Sequence, residues 1–112
     1  THPIFRSCLI LVDKGVILMT QSTLYLLQAS YHHTPRIIEE LAKLFHKDDQ
    51  IVFMGDSTAQ LSVNICQQFG SVSCLSHEKD LIDAETLAQV KVLNYDQFAD
   101  LVLQFNRCIS LK

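Results

Sequence analysis

Glycine and proline are scarce in this chain, three and two in 112 residues, which excludes a fibrous or low-complexity protein. There is no run of Lys and Arg, and the net charge is -3. Direct binding to a nucleic-acid backbone draws on clustered cations and is not expected. The four cysteines, Cys8, Cys66, Cys74 and Cys108, form no CxxC pair. Three of them sit inside apolar runs, which favours reduced thiols in a cytoplasmic protein over a disulfide framework or a zinc site. The one candidate targeting segment, CLILVDKGVILM at 8–19, is interrupted by Asp13 and Lys14 after five residues. It is too short and too broken for a membrane span or a secretory signal. Its two apolar halves read instead as a small hairpin around Asp13-Lys14-Gly15, with Gly15 free to take positive φ.

What is present is a globular composition, 48% hydrophobic and 19% charged. A single domain of this size buries about two thirds of its unfolded surface. Ser22 to Ala29 reads as a buried strand. Thr34-Pro35 then supplies an N-cap and a proline at the first helical position, and Ile37, Ile38, Leu41, Ala42, Leu44 and Phe45 recur at helical spacing. Asp48-Asp49 turns into Ile51-Val52-Phe53-Met54, an apolar strand expected to be buried on both faces. In the next helix Ser57 and Gln60 have capping-box spacing, Leu61, Ile65, Cys66 and Phe69 share a face, and Gly70 is the stop.

Val72 to Leu75 is a third strand, Glu78 to Gln89 holds weak helical turns, and Val90 to Leu93 is a fourth strand. Asn94 and Gln97 again have capping spacing, and Phe98, Leu101, Val102, Phe105, Cys108 and Ile109 form one apolar stripe on a final helix. Strands alternating with helices in this way predict a mainly parallel sheet with helices on both faces, a three-layer α/β/α domain. Ligands and partners of such a sheet meet the carboxyl ends of its strands, here Gln28 to Tyr31, Gly55 to Ser57 and Leu75 to His77.

Few residues point to chemistry. Gly55-Asp56-Ser57-Thr58 lacks both phosphate-loop glycine patterns, and Asp56 repels phosphate, so a helix cap is the better account. His32-His33 has no further ligand spaced to join it, so no metal is expected. Nor is any cofactor. Cys66 and Cys108 lie on apolar helix faces as small hydrophobes. Cys74 has two readings: a thiolate at a strand's carboxyl end with His77 nearby, or an ordinary buried strand cysteine. Glu78 and Asp80 oppose its activation.

The run Ile51-Val52-Phe53-Met54-Gly55-Asp56, the Asp80-Leu81 pair after the next strand, and Val90-Lys91-Val92-Leu93-Asn94-Tyr95-Asp96-Gln97-Phe98-Ala99-Asp100-Leu101 resemble the TusB/DsrH family of sulfur-relay subunits. Leu24 to Tyr31 is similar to that family's first strand. Tyr25, Tyr31, Ser57, Ala84-Glu85 and Leu111 depart from its pattern. The resemblance covers residues 22 to about 111. Residues 1–21 fall outside the match; since family members begin at the first strand, the resemblance implies that they are an extension or upstream-translated sequence, with Met19 nearer the natural start.

The resemblance implies a DsrE-like fold at 22–112 and a non-catalytic place in a cytoplasmic complex with TusC-like and TusD-like chains, commonly a dimer of heterotrimers. Such a complex takes persulfide sulfur from a TusA-like donor and passes it through a TusE-like carrier toward 2-thiolation of a tRNA wobble uridine; the DsrH-like alternative serves sulfur oxidation. The helix position that carries a cysteine in DsrH-type chains is Leu41 here. On the TusD-type pattern the relay cysteine falls at Leu75, one residue beyond Cys74, and adjacent strand residues face opposite sides of a sheet. The subunit is then expected to contribute packed surface, with Tyr25, Tyr31 and Phe98 as candidate interface anchors. A sulfur carrier acting through Cys74 and a stand-alone ligand-binding domain are the competing readings.

Overall fold

A computed structural model describes residues 8–11, 17–20 and 22–112. β1 (Cys8–Leu11) and β2 (Ile17–Thr20) pair antiparallel, with Cys8 opposite Thr20 and Leu11 opposite Ile17. The hairpin read from the two apolar runs is therefore present, while its expected turn at Gly15 lies outside the described residues.

The main sheet is all parallel, ordered β6-β5-β4-β3-β7. Its strands are β3 (Thr23–Leu27), β4 (Gln50–Phe53), β5 (Val72–Leu75), β6 (Lys91–Leu93) and β7 (Arg107–Leu111). Between them run α1 (Thr34–Leu44), α2 (Val63–Phe69), α3 (Ala84–Leu87) and α4 (Tyr95–Leu103), with 3-10 segments at Gly55–Gln60 and Ser76–Leu81. This is the expected three-layer α/β domain.

Alternation along each strand divides the core into two layers. Tyr25, Leu27, Ile51, Phe53, Val72 and Cys74 pack with Ile38 and Leu41 of α1 and with Cys66 and Phe69 of α2. Leu24, Val52, Leu75 and Leu93 pack with Leu101 of α4, and Phe98, Val102 and Phe105 close that layer from the side. In β4 the residues Ile51, Val52 and Phe53 are all fully buried, as a central strand covered on both faces requires.

Three local expectations change. The chain does not end in a helix: α4 stops at Leu103, and Arg107–Leu111 turns back as an edge strand beside β3, Thr23 opposite Arg107 and Leu27 opposite Leu111. Cys108 is consequently an exposed strand residue rather than part of a helical stripe. The segment opened by Ser57 is a 3-10 turn, and α2 begins later, capped by the Ser62 hydroxyl, which accepts the Ile65 N–H at 3.3 Å. Thr34 is the first helical residue rather than the cap, its hydroxyl donating to the Ser30 carbonyl at 2.7 Å. The Asn94/Gln97 capping box forms as expected: the Gln97 N–H donates to Asn94 Oδ1 at 2.8 Å, and the Asn94 N–H to Gln97 Oε1 at 2.9 Å.

Asp49 joins three elements at the amino end of the sheet. Its buried carboxylate accepts the Thr23 N–H at 2.8 Å and the His46 N–H at 2.9 Å, tying β3 to the turn between α1 and β4. Removing it strands one fully buried and one partly buried donor, each of which costs about 1–3 kcal/mol. Asp49→Ala is expected to lower stability by roughly 2–4 kcal/mol in urea denaturation, whereas an exposed change such as Asp48→Ala shifts it by less than about 0.5 kcal/mol.

Candidate functional site

The three strand ends singled out from the sequence do converge. At the carboxyl rim the Ser57 hydroxyl lies 2.7 Å from the carbonyl oxygens of both Leu27 and Met54, sharing its single proton between the ends of β3 and β4. The Met54 N–H donates to the same Leu27 carbonyl at 2.9 Å, and the Gln60 amide donates to the Tyr31 carbonyl at 2.9 Å. The two loops leaving β3 and β4 are thus fastened to each other.

Beside this fastening lies a shallow hollow of about 350 Å³ lined by Gln28, Met54, Gly55, Leu75, His77, Glu78 and Tyr95. Gly55 takes φ +61°, which aims its N–H at Glu78 Oε2, 2.6 Å away. The rings of His77 and Tyr95 stack with centroids 5.5 Å apart, and the Tyr95 hydroxyl sits 3.4 Å from His77 Nδ1. His77 Nε2 stands 3.9 Å from Glu78 Oε2. Met54 and Leu75 supply apolar surface.

Cys74 does not join this group. It is 0% exposed, in the layer beneath α1 and α2, whereas the neighbouring Leu75 belongs to the α4 layer and lines the hollow. Burial raises the Cys74 thiol above its usual range, and the nearby charge of Glu78 and then Cys66 push it further the same way. His77 forms no hydrogen bond with Cys74 among the described residues; its partner is Tyr95. A buried thiol with a raised pKa is a poor nucleophile. Burial also raises Cys66.

The remaining sequence candidates separate. His32 and His33 are exposed, and no cluster of metal-ligating side chains occurs among the described residues. Leu41 is buried in the core. Of the three proposed anchors, only Tyr31 is largely exposed, at 48%; Tyr25 is 4% exposed and packs against Phe45, and Phe98 is half-buried under the sheet. Tyr95, 68% exposed, was missed. Its signal was the end of the fourth strand, which reaches the same rim as the other three. A larger hollow of about 820 Å³ at the amino end, among Tyr25, Leu44, His46, Lys47 and Arg107, lies away from this rim. No helix among the described residues is long and apolar enough to cross a membrane.

No family model and no curated protein sequence matches the chain.

Two outcomes are expected. In a Cys8→Ser background, N-ethylmaleimide at neutral pH labels Cys108 first, and mass spectrometry finds Cys74 modified only under denaturant. The folded pKa values of Tyr25, Cys66 and Cys74 all lie above their ordinary values of 10.0, 9.0 and 9.0. Below about pH 8 these groups are protonated in both states and the fold keeps its full stability. As pH rises from there the unfolded chain ionises first, so stability falls through the window up to the folded values. Urea midpoints measured from pH 7 to 11 should decline in that sense, less steeply in Cys74→Ala.

Proposed function

We propose that the chain is a non-catalytic, structural subunit of a cytoplasmic TusBCD-like sulfur-relay complex. The observation that supports this most is positional. The fragments that resemble the TusB/DsrH family fall in chain order on successive parallel strands, and their non-strand ends all emerge at one rim: Gly55-Asp56 after β4, Asp80-Leu81 after β5, and Asn94-Tyr95 after β6. The non-catalytic part of this reading draws on the residues that are present. On the TusD-type pattern Leu75 takes the place of the sulfur-carrying cysteine; Leu41 is buried and apolar, and Cys74 is enclosed with a raised pKa. Persulfide relay needs a thiolate that a partner's sulfur can reach.

In this reading the subunit offers surface to TusC-like and TusD-like chains, and sulfur passes from a TusA-like donor to a TusE-like carrier through the TusD-like subunit. Thiolation of a tRNA wobble uridine is the outcome we favour; a DsrH-like role in sulfur oxidation uses the same assembly with different neighbours.

Co-expression with TusC-like and TusD-like chains is expected to give one complex on gel filtration at micromolar concentration, and the isolated chain treated with a persulfide donor is expected to gain no sulfur mass. Failure to assemble removes the structural reading. Sulfur uptake that disappears in Cys74→Ser would instead make the chain a carrier.

A further inference from the structure

In the wall of the hollow at the carboxyl rim stands a carboxylate that the chain satisfies on one oxygen only. Glu78 Oε2 accepts from Gly55, but Oε1 is buried and has no hydrogen-bond partner among the described residues. An ionised carboxylate is an acceptor only, and a buried one without a donor is unfavourable. Only 15% of the Glu78 side chain is exposed. No Lys or Arg lines the hollow, Lys79 next in sequence forms no ion pair among the described residues, and Asp56 and Asp96 stand exposed directly after the lining residues Gly55 and Tyr95. Charge of this sign repels phosphate and attracts a cation.

The other walls narrow the kind of cation. Met54 and Leu75 offer apolar surface to an aliphatic stem, and the exposed Tyr95 ring offers a face for cation–π contact once the His77 ring stacked on it moves aside. A guanidinium suits both: it is planar, weakly hydrated, and donates from several N–H groups in a fixed fork. Since Oε1 is buried, the donor reaches it as the carboxylate turns about its soft terminal torsion and the half-exposed His77 ring moves aside. Among the described residues that ring is held by its stack on Tyr95, a 3.4 Å contact with the Tyr95 hydroxyl and a 3.9 Å approach to Oε2.

We propose that this hollow seats one guanidinium group on an aliphatic stem, either an arginine side chain of a partner protein or a free guanidine of similar size. The inference concerns the isolated chain and does not rest on the sulfur-relay reading.

The test is a titration of the full chain, followed by 1H–15N NMR, with three probes: N-acetyl-arginine-N-methylamide, agmatine, and the neutral isostere N-acetyl-citrulline-N-methylamide. Saturable shifts at Gly55, His77, Glu78 and Tyr95 are expected with the first two, with citrulline at least about tenfold weaker. Tighter binding of the capped arginine assigns the site to a protein side chain, and tighter binding of agmatine to a free guanidine. Glu78→Gln, which keeps an oxygen for the Gly55 N–H, is expected to weaken binding about tenfold or more. Tyr95→Leu, at an exposed position, should weaken it roughly threefold. Absence of saturation, equal binding of citrulline, or unchanged affinity in both variants overturns the proposal.

Discussion

Everything in this domain depends on burying β4 from both sides. Its backbone groups are satisfied by β3 and β5, so its side chains Ile51, Val52 and Phe53, all fully enclosed, need an apolar layer above and another below. Parallel neighbours cannot be joined by a tight turn, and each crossover supplies a helix to one face. Crossovers are right-handed, so the direction in which the chain steps across the sheet decides which face a helix covers. From β3 to β6 the chain steps one way and packs α1, α2 and α3 on a single side. It then reverses to reach β7 on the far side of β3, and α4 falls on the other side.

That reversal also explains where the rim opens. The connections leaving β5 and β6 depart to opposite faces, and neighbouring strands with diverging exits leave a crevice at their carboxyl ends. Leu75, His77 and Glu78 come from one side of it and Tyr95 from the other. Gly55, in the left-handed region, lets the β4 exit loop turn its amide toward Glu78, linking a third strand to the same place. The hollow is thus a consequence of topology, with its particular acid and aromatic residues set on an already open frame.

The same alternation that builds the two layers decides what Cys74 is. In β5 consecutive residues serve different layers, so Leu75 meets the rim and Cys74 meets the helices α1 and α2. Enclosure by Phe53, Cys66 and their neighbours makes ionisation costly, and the carboxylate of Glu78 adds to that cost. A thiol suited to packing and one suited to sulfur transfer need opposite surroundings, and a shift of one residue is enough to exchange them.

Much of this was written locally in the sequence. The helical spacing of Ile38, Leu41 and Phe45, the apolar run Ile51–Phe53, the Asn94/Gln97 box and Gly70 as a stop each act over a few residues, so each was legible without the rest of the chain. The last strand was not. Phe98 to Ile109 carries helical spacing throughout, and Arg107–Leu111 became a strand only because β3, from the first half of the chain, offered it an unpaired edge. Likewise the meeting of Gln28, Gly55, Glu78 and Tyr95 joins four loops far apart in sequence. Periodicity reports which face a residue presents; which other faces it meets is set by strand order, and strand order follows from long-range ladder pairing that no short window contains.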